Sequence, residues 1–421
     1  MITPAYGLTA SERVLPKLAL DWTTGVAQPG VDVVRAGVAT FVGSDGFLQD
    51  ATADTQRIDF TTGVGGLLVE ESRANLIKYS NKFDESVWTL EQLTVVPNAA
   101  IGPDGTMSAW KLVESTSTST RNIRQTAIAI SSGATVAYTF FAKAGERSVC
   151  IAQINDNATT ANRVFATFNL LTGAVTSPTN GGTFTGVSAK TTALKDGWYR
   201  CELTGTATGV SSVQGRLFMG ATSYTGDGTS GLYLFGEQLE AGAFPTSYIP
   251  TEASAVTRNA DVATMTGANF SDWYNQAEGT FEAIWSRNAT LTTAYSAGFP
   301  RVFEVSDGTT NNLIYLSGNA SSVNEVAQLT VGGSVITTRT AAVVAANTAA
   351  NSVFAYKTGF ISLAQNGATP STSTAAFTAP AMTTLYLGNR NGAGRALNGH
   401  LRKLSFYKQA LTSAEVQAFS K

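Results

Sequence analysis

Residues 224–251, YTGDGTSGLYLFGEQLEAGAFPTSYIPT, predict a β-strand followed by the end of a domain. Asp227-Gly228 supplies the backbone positions with positive φ that a tight turn between strands requires. The LYLFGEQLE segment after this turn has the residue types and the alternation of a strand. Pro245 and Pro250 cannot continue a sheet, because proline has no amide N–H to donate to a neighbouring strand. One β domain therefore closes near residue 250, and a linker begins.

The composition predicts a folded protein of two or three domains. The chain has 421 residues, of which 43% are hydrophobic and only 14% are charged. Disordered chains show the opposite balance. The net charge is −2 and no basic block is present, so we expect no nucleic-acid partner. No apolar run approaches the roughly 20 residues that cross a bilayer, and the N-terminus lacks the apolar core of a signal peptide. We therefore expect no membrane partner and folding in a cytoplasm.

Short strand signals separated by turn residues recur along the chain and predict an all-β fold. Residues 135–142, TVAYTFFA, are β-branched or aromatic, and residues 279–285, GTFEAIW, repeat the theme. This spacing predicts an antiparallel β-sandwich of jelly-roll type for residues 71–250 and a second β-sandwich for residues 260–421. Residues 1–70 show only short extended stretches between turns, so we expect a short N-terminal β arm there.

Two local patterns make specific structural predictions. Cys150 and Cys201 both lie in predicted strands, and Cys201 shares its strand face with Tyr199, a face that we assign to the core. A reducing cytoplasm favours buried free thiols over a disulfide. Near the C-terminus, Thr412 followed three residues later by Glu415 predicts a capping box at the start of a short helix.

The sequence offers few groups for catalysis. His400 is the only histidine, which excludes a multi-histidine zinc site, and we predict a structural role for it within a strand. Glu70 and Glu71 are adjacent, and adjacent strand residues point to opposite faces, so they are not expected to cooperate. An ion pair with Arg73 that holds a domain junction is the better interpretation. We predict no catalytic residue and no enzymatic activity, although 30 acidic residues leave the carboxylate pair of a glycoside hydrolase as an alternative.

Aromatic side chains are the expected contacts if the chain binds glycans, because the C–H faces of sugars stack on aromatic rings. Trp110 and Tyr224 lie beside turns and are the best candidates for exposed rings, and Trp88 is a third candidate. Trp198 and Trp285 lie in regular strands, where we expect them to be half in the core. A buried structural role is the alternative for every one of these residues.

Three places in the chain resemble known families. Residues 66–76, GLLVEESRANL, resemble a signature of tailed-phage tail and virion proteins. Residues 198–200, WYR, and residues 224–251 are similar to the jelly roll that follows this signature, a fold shared with carbohydrate-binding modules. Residues 399–416 resemble the closing strand and helix of laminin-G and concanavalin-like lectin domains. The positions that match the lectin pattern are Leu401, Leu404, Phe406, Leu411 and Glu415.

These resemblances imply a bacteriophage virion protein: a tail fibre, spike or head-fibre component whose jelly roll and lectin-like sandwich bind host surface glycans. They imply other virion proteins as partners, assembly as a homotrimer, attachment through residues 1–70, and release of the virion from the host cytoplasm by lysis. A capsid-decorating or collar protein with a purely structural role is the first alternative, and a polysaccharide depolymerase is the second.

No metal or cofactor is expected. Calcium-stabilised jelly rolls often close on a strand with paired acids, whereas this chain has Gly236-Glu237-Gln238 at that place. Structural calcium at a loop is the alternative, but side-chain-to-backbone turns explain each Asp-Gly pair without a metal. The aspartates of these pairs are Asp45, Asp104, Asp227 and Asp307.

Overall fold

The computed structural model describes residues 15–220, 223–288, 300–318, 324–390 and 394–421. The described chain is nearly all β, which confirms the predicted fold class. Among the described residues, no helix has the length and apolar character needed to span a bilayer. The first segment, up to residue 69, contains β1 (Leu18–Asp21), β2 (Asp32–Val34), β3 (Ala39–Val42), β4 (Leu48–Ala51), β5 (Ile58–Asp59) and β6 (Gly66–Val69).

The middle segment contains most of the long strands. Its strands are β7 (Arg73–Asn75), β8 (Thr89–Glu91), β9 (Leu93–Ala100), β10 (Ala109–Glu114), β11 (Thr118–Ser119), β12 (Asn122–Ala129), β13 (Thr135–Ala144), β14 (Val149–Asp156), β15 (Arg163–Asn169), β16 (Val175–Gly181), β17 (Phe184–Ala193), β18 (Trp198–Ala207), β19 (Ser212–Met219), β20 (Tyr224–Thr225) and β21 (Gly231–Ala241).

The last segment adds further strands and two short α-helices. Its elements are β22 (Val256–Arg258), β23 (Val262–Thr266), α1 (Ala268–Ser271), β24 (Glu278–Arg287), β25 (Arg301–Ser306), β26 (Leu313–Gly318), β27 (Glu325–Val331), β28 (Ser334–Thr340), β29 (Ala350–Lys357), β30 (Phe360–Gln365), β31 (Ser371–Ser373), β32 (Thr384–Leu387), β33 (Gly399–Tyr407) and α2 (Ser413–Phe419). Short 3-10 helices cover Trp22–Thr24 and Lys195–Gly197.

The middle segment folds into one antiparallel sandwich, which we call the inserted sandwich. One sheet has the order β17-β18-β13-β21-β10-β9, and the other has the order β16-β15-β14-β19-β12-β8. Strand alternation sends Cys150 and Ala152 into the core and leaves Ile151 and Gln153 on the outer face of their sheet. Burial of the apolar faces between the two sheets holds this sandwich together.

The first and last segments together build the second sandwich, which we call the split sandwich. Strands β1, β5 and β6 join a sheet ordered β31-β30-β29-β24-β33-β6-β5, in which β1 also pairs with β33. Strand β2 joins the facing sheet, ordered β2-β23-β32-β25-β26-β27-β28. In the pairing of β1 with β33, Leu18 lies opposite Phe406, and both side chains are buried in the core of the split sandwich.

The first segment therefore does not form the short, separate β arm that the sequence predicted for residues 1–70. Strands β1, β2, β5 and β6 complete both sheets of the split sandwich, and only β3 and β4 pair with each other as a separate hairpin. The physical reason is that short apolar strands gain stability by burying their side chains against a core, and here that core is supplied by residues more than 200 positions away. Residues 1–14, the start of the expected arm, lie outside the described residues.

Several local predictions are confirmed. Cys150 and Cys201 are buried free cysteines, and Cys201 packs in the core of the inserted sandwich with Tyr199 at its edge. Helix α2 begins with the predicted capping box, in which the Thr412 side chain accepts a hydrogen bond from the Glu415 amide and the Glu415 carboxylate accepts one from the Thr412 amide. Each Asp-Gly aspartate accepts a hydrogen bond from the amide two residues later, as expected for a turn.

Candidate functional sites

A buried group of charged side chains lies where the chain leaves the split sandwich and returns to it. We call it the junction cluster, and its members are Arg35, Arg57, Glu70, Arg258 and Asp261. Asp261 contacts Arg35 at 2.9 Å and Arg57 at 2.5 Å, while Glu70 contacts Arg57 at 2.8 Å. All five side chains are almost fully buried. Buried charges are tolerated only when they are paired, so these groups fix the positions of four distant segments relative to one another.

The junction cluster also connects two stretches that the sequence singled out. Glu70, from the GLLVEESRANL stretch, accepts hydrogen bonds from the amide and the hydroxyl of Ser247, from the PTSYIPT stretch, at 2.8 and 2.6 Å. Asn75 donates to the carbonyl oxygen of Ile249 at 2.9 Å. Both stretches therefore hold the two sandwiches together. The predicted ion pair is confirmed, because Arg73 contacts Glu71 at 2.5 Å.

Buried acids at the end of β21 have hydrogen-bonding roles. Glu240 accepts from the amide of Thr246 at 2.9 Å and from its hydroxyl, and so ties the strand to the exit segment. Glu237 accepts from the hydroxyl of Tyr138 at 2.6 Å. Burial raises the pKa of Glu237 to about 8, and the hydrogen bond from Tyr138 offsets this only in part. The described residues contain no group of three or more His, Cys, Asp or Glu side chains placed to hold a metal ion.

His400 is buried in β33 at 2% exposure and pairs with Asp59 across the sheet. The distance between its Nε2 and the Asp59 Oδ1 is 2.8 Å. Asp59 also accepts hydrogen bonds from the amides of Val42 and Thr61. Burial raises the pKa of Asp59, but the hydrogen bond and the charge of His400 outweigh it and hold this pKa below its ordinary value. His400 thus has the structural contact expected of it, and it also lines a cleft described below.

The structure places the predicted glycan contacts mostly inside the protein. Trp110 is 7% exposed and Trp88 is 6% exposed, and both rings pack edge-on against Phe83 in the core of the inserted sandwich. Their indole N–H groups donate to the backbone carbonyls of Asn81 and Tyr79. The exposure that we expected for Trp110 is therefore wrong. The reason is that large aromatic rings bury most area when both their apolar body and their N–H group find partners inside.

Tyr224 is half-buried and has structural contacts of its own. Its hydroxyl donates to Glu114 at 2.6 Å, and the guanidinium carbon of Arg121 lies 4.1 Å from the ring centroid. Burial, followed by the hydrogen bond to Glu114, raises the pKa of Tyr224 to about 12. The four hydrogen bonds of Arg121 go to backbone carbonyls of the surrounding loops. Tyr224 therefore braces the loops beside a groove in which Arg121 takes part.

This groove, which we call the sheet-face groove, lies on the outer face of the sheet that contains β14, β15 and β19, and its volume is about 270 Å³. Register places Ile151 opposite Phe218, and Gln153 opposite Phe165. Phe165 and Phe218 are half-buried, so part of each ring faces the groove. The lining residues are Thr120, Arg121, Ile151, Gln153, Arg163, Phe165, Phe218, Met219 and Gly220.

Arginine side chains hold the two groove rings in place. The guanidinium carbon of Arg163 lies 5.3 Å from the centroid of the Phe165 ring, and that of Arg216 lies 5.3 Å from the centroid of the Phe218 ring. The result is a shallow surface with two oriented aromatic rings and the amide of Gln153 between them. Such a surface can stack against apolar faces of a ligand and hydrogen-bond to its polar edges.

Sequence reasoning missed Phe165 and Phe218, although a usable signal was present. Both lie in alternating strands, and Val164, Ala166 and Leu217, the residues beside them, carry the core face. Alternation therefore sends both phenylalanines to the outer face. What sequence could not supply is that β14 lies between β15 and β19, which brings the two rings to one groove.

Comparison with known proteins supports a lectin-like domain. Residues 280–417 match the family model of the concanavalin A-like lectin/glucanases superfamily. These residues fall within the split sandwich, whose concanavalin-like architecture agrees with the sequence prediction. No curated protein sequence matches the chain.

Solved structures with similar β architecture include carbohydrate-binding domains. One is the CBM40 domain of Ruminococcus gnavus IT-sialidase bound to α2,6 sialyllactose, with 13% identity, 35% of this chain and 85% of that chain covered, and a TM-score of 0.29. Domain 4 of the Geobacillus stearothermophilus arabinanase AbnA with arabinotriose shows 12% identity, coverage of 42% and 82%, and a TM-score of 0.31. Domains LG4-5 of the mouse laminin α1 chain show 10% identity, coverage of 71% and 92%, and a TM-score of 0.25. Scores this low carry no argument about function.

Proposed function

We propose that this protein is a non-catalytic, glycan-binding component of a bacteriophage virion, of the tail-fibre, spike or head-fibre type. The observation that carries glycan binding is the sheet-face groove, in which Phe165 and Phe218 present part of their rings beside Gln153. The family match of the split sandwich to lectin-like domains supports the same role. The virion setting rests on the resemblance of residues 66–76 and 224–251 to phage virion proteins.

The groove suits a sugar for physical reasons. Aromatic rings stack against the C–H face of a sugar, and the Gln153 amide and the Arg163 guanidinium supply hydrogen bonds to hydroxyls. The described residues that line the groove include no carboxylate, so its chemistry is binding rather than the paired-acid chemistry of a glycoside hydrolase. A shallow groove binds weakly, and a trimer that presents three grooves to one cell surface compensates through avidity.

The test is binding of the labelled, purified protein to candidate host bacteria with and without their surface polysaccharide. We expect polysaccharide-dependent binding that falls at least about tenfold in Phe165→Ala and Phe218→Ala, since each substitution removes a stacking ring. Leu171→Ala, which changes an exposed apolar residue of the same sandwich outside the groove, is the matched control and is expected to bind normally. Absence of binding by folded, assembled protein would instead favour a structural role on the virion.

Two further measurements test the rest of the proposal. Incubation with the bound polysaccharide is expected to leave its viscosity unchanged, and a loss of viscosity would identify a depolymerase. Sedimentation analysis is expected to give the mass of a trimer.

Attachment to the virion needs a selective truncation. Deletion of residues 1–70 removes β1, β2, β5 and β6 and so disrupts both sheets of the split sandwich. Removal of residues 1–14 alone spares every described strand. We expect this shorter truncation to reduce incorporation into particles, and unchanged incorporation would refute attachment through these residues.

A further inference from the structure

A cleft between the two sandwiches has the properties of a second ligand site. Its volume is about 360 Å³, within the range of small-molecule sites. The split sandwich contributes Asp59 and His400 to its lining, and the inserted sandwich contributes Arg200 and Glu202 from β18. The hairpin of β3 and β4 adds Phe41, among other residues. The cleft therefore exists only because the two sandwiches are docked against each other.

On the side of the split sandwich, His400 presents an unused hydrogen-bonding atom. Its Nε2 is engaged with Asp59, whereas its Nδ1 is buried and has no hydrogen-bond partner among the described residues. A buried polar atom without a partner carries a free-energy cost that a bound ligand can relieve. In either protonation state, Nδ1 can form a hydrogen bond with a hydroxyl group, because a hydroxyl both donates and accepts.

On the side of the inserted sandwich, Glu202 and Arg200 show the same feature. Glu202 is 5% exposed, and its Oε2 lies 3.3 Å from the Lys190 ammonium but accepts no hydrogen bond from any residue that the structure describes. Arg200 donates from one terminal nitrogen to the carbonyl of Thr246, while its Nε is buried and has no partner in the described part of the chain. An acceptor and a donor are thus available on the wall that belongs to β18.

The remaining lining restricts the ligand. Positive and negative side chains balance in the cleft: Lys190 pairs with Glu202, His400 hydrogen-bonds to Asp59, and Glu70 pairs with Arg57 behind the wall. The Arg200 guanidinium donates to a backbone carbonyl, and its charge acts on the buried Glu240 carboxylate, where it offsets part of the rise in pKa that burial causes. The cleft therefore has no strong excess of either charge that would select a charged ligand. The apolar surface of the cleft comes from Phe41, Val42, Leu48, Phe141 and Leu194. The cleft combines apolar contact with separate donors and acceptors.

We propose that this inter-domain cleft binds a neutral saccharide of one or two units, at a site distinct from the sheet-face groove. Sugar hydroxyls match the unpartnered atoms of His400, Arg200 and Glu202, and the C–H face of the sugar packs against Phe41. The ligand contacts both sandwiches at once, so its binding stabilises their docking. The proposal does not depend on glycan binding at the groove.

The single histidine makes the test direct. In protein labelled with ¹³C and ¹⁵N in histidine, every ring signal comes from His400. We expect these signals, above all that of Nδ1, to shift saturably when D-glucose, D-galactose, D-mannose or N-acetyl-D-glucosamine is added to millimolar concentration. No shift with any of these four sugars would overturn the proposal.

Variants separate the two sites. Glu202→Gln keeps the size of the side chain and is expected to lower the affinity for the saccharide that shifts the His400 signals about tenfold. Thr192→Trp fills the cleft from a half-buried position in β17 and is expected to abolish the shift. Phe165→Ala and Phe218→Ala in the groove are the controls and should leave the His400 titration unchanged. An unchanged titration in both folded cleft variants, or its loss in the groove variants, would refute a separate cleft site.

Discussion

Replacement of Glu70 by glutamine tests whether the junction cluster holds the chain together. In the wild-type protein, the Glu70 carboxylate contacts Arg57 at 2.8 Å, Arg258 at 3.5 Å and both polar groups of Ser247. The variant leaves three buried arginines with Asp261 as the only acid of the cluster. Removal of one partner from a buried ion pair typically costs about 3–5 kcal/mol, and we expect a loss of this size in the free energy of unfolding of Glu70→Gln at pH 7.

The same variant predicts a pH dependence of defined sign. Burial alone raises the pKa of Glu70, but the charges of Arg258 and Arg57 and the hydrogen bonds from Ser247 outweigh it and hold this pKa well below its ordinary value of 4.5. A carboxyl group with a lowered pKa in the folded protein contributes stability above its unfolded pKa and loses it as the pH falls. The difference in the free energy of unfolding between wild type and Glu70→Gln is therefore largest at pH 7, and it shrinks as the pH falls below about 4.5.

The assay is urea unfolding followed by tryptophan fluorescence, in a series of buffers from neutral to acidic pH. Glu252→Gln is the matched control, because Glu252 forms an exposed pair with Lys82 and its loss should not change the unfolding midpoint. A Glu70→Gln midpoint that coincides with that of the control would refute the argument that the buried cluster stabilises the junction. So would a difference that stays constant from neutral to acidic pH.

Two further predictions concern buried groups of the inserted sandwich. The raised pKa of Glu237, about 8, means that the stability which this group gives the wild-type protein is lost as the pH rises from roughly 5 to 8. The free energy of unfolding of Glu237→Gln should therefore rise relative to that of wild type by about 1.4 kcal/mol per pH unit over this range. Urea unfolding across the range tests this prediction, and a pH-independent difference would contradict it. Trp110→Ala should lower the free energy of unfolding by about 3–5 kcal/mol through the cavity that it leaves; polysaccharide binding by the fraction that remains folded should be unchanged, and a selective loss of binding without a loss of stability would restore Trp110 as a glycan contact.

Local structural features were predicted correctly from the sequence where the prediction depended on residues close together in the chain. The capping box of Thr412 and Glu415 and the core position of Cys201 follow from spacing along a helix or a strand. The Asp-Gly turns follow from the ability of an aspartate to accept the amide two residues later. The fold class belongs to the same group, because strand alternation and turn residues repeat along the whole chain.

The candidate sites were harder to predict from the sequence. Trp110 was expected at the surface because it lies near a turn, but its neighbours in space, Phe83 and the carbonyl of Asn81, come from other segments and bury it. Phe165 and Phe218 lie 53 positions apart in the sequence. They line the same groove because β15 and β19 both pair with β14, on its two sides. Adjacency of strands is set by the global topology, which local residue patterns do not encode.

The sequence by itself determined that the chain forms antiparallel β-sandwiches and that its single histidine limits the catalytic chemistry open to it. Only the tertiary structure decided that β1, β2, β5 and β6 complete the sandwich built mainly by the last segment of the chain, with the inserted sandwich between them in sequence. The physical reason is that strand pairing and charge pairing act through space. Leu18 pairs with Phe406 across two strands, and Arg35 forms an ion pair with Asp261. These partners are separated by hundreds of residues, which no pattern in a short window of sequence can reveal.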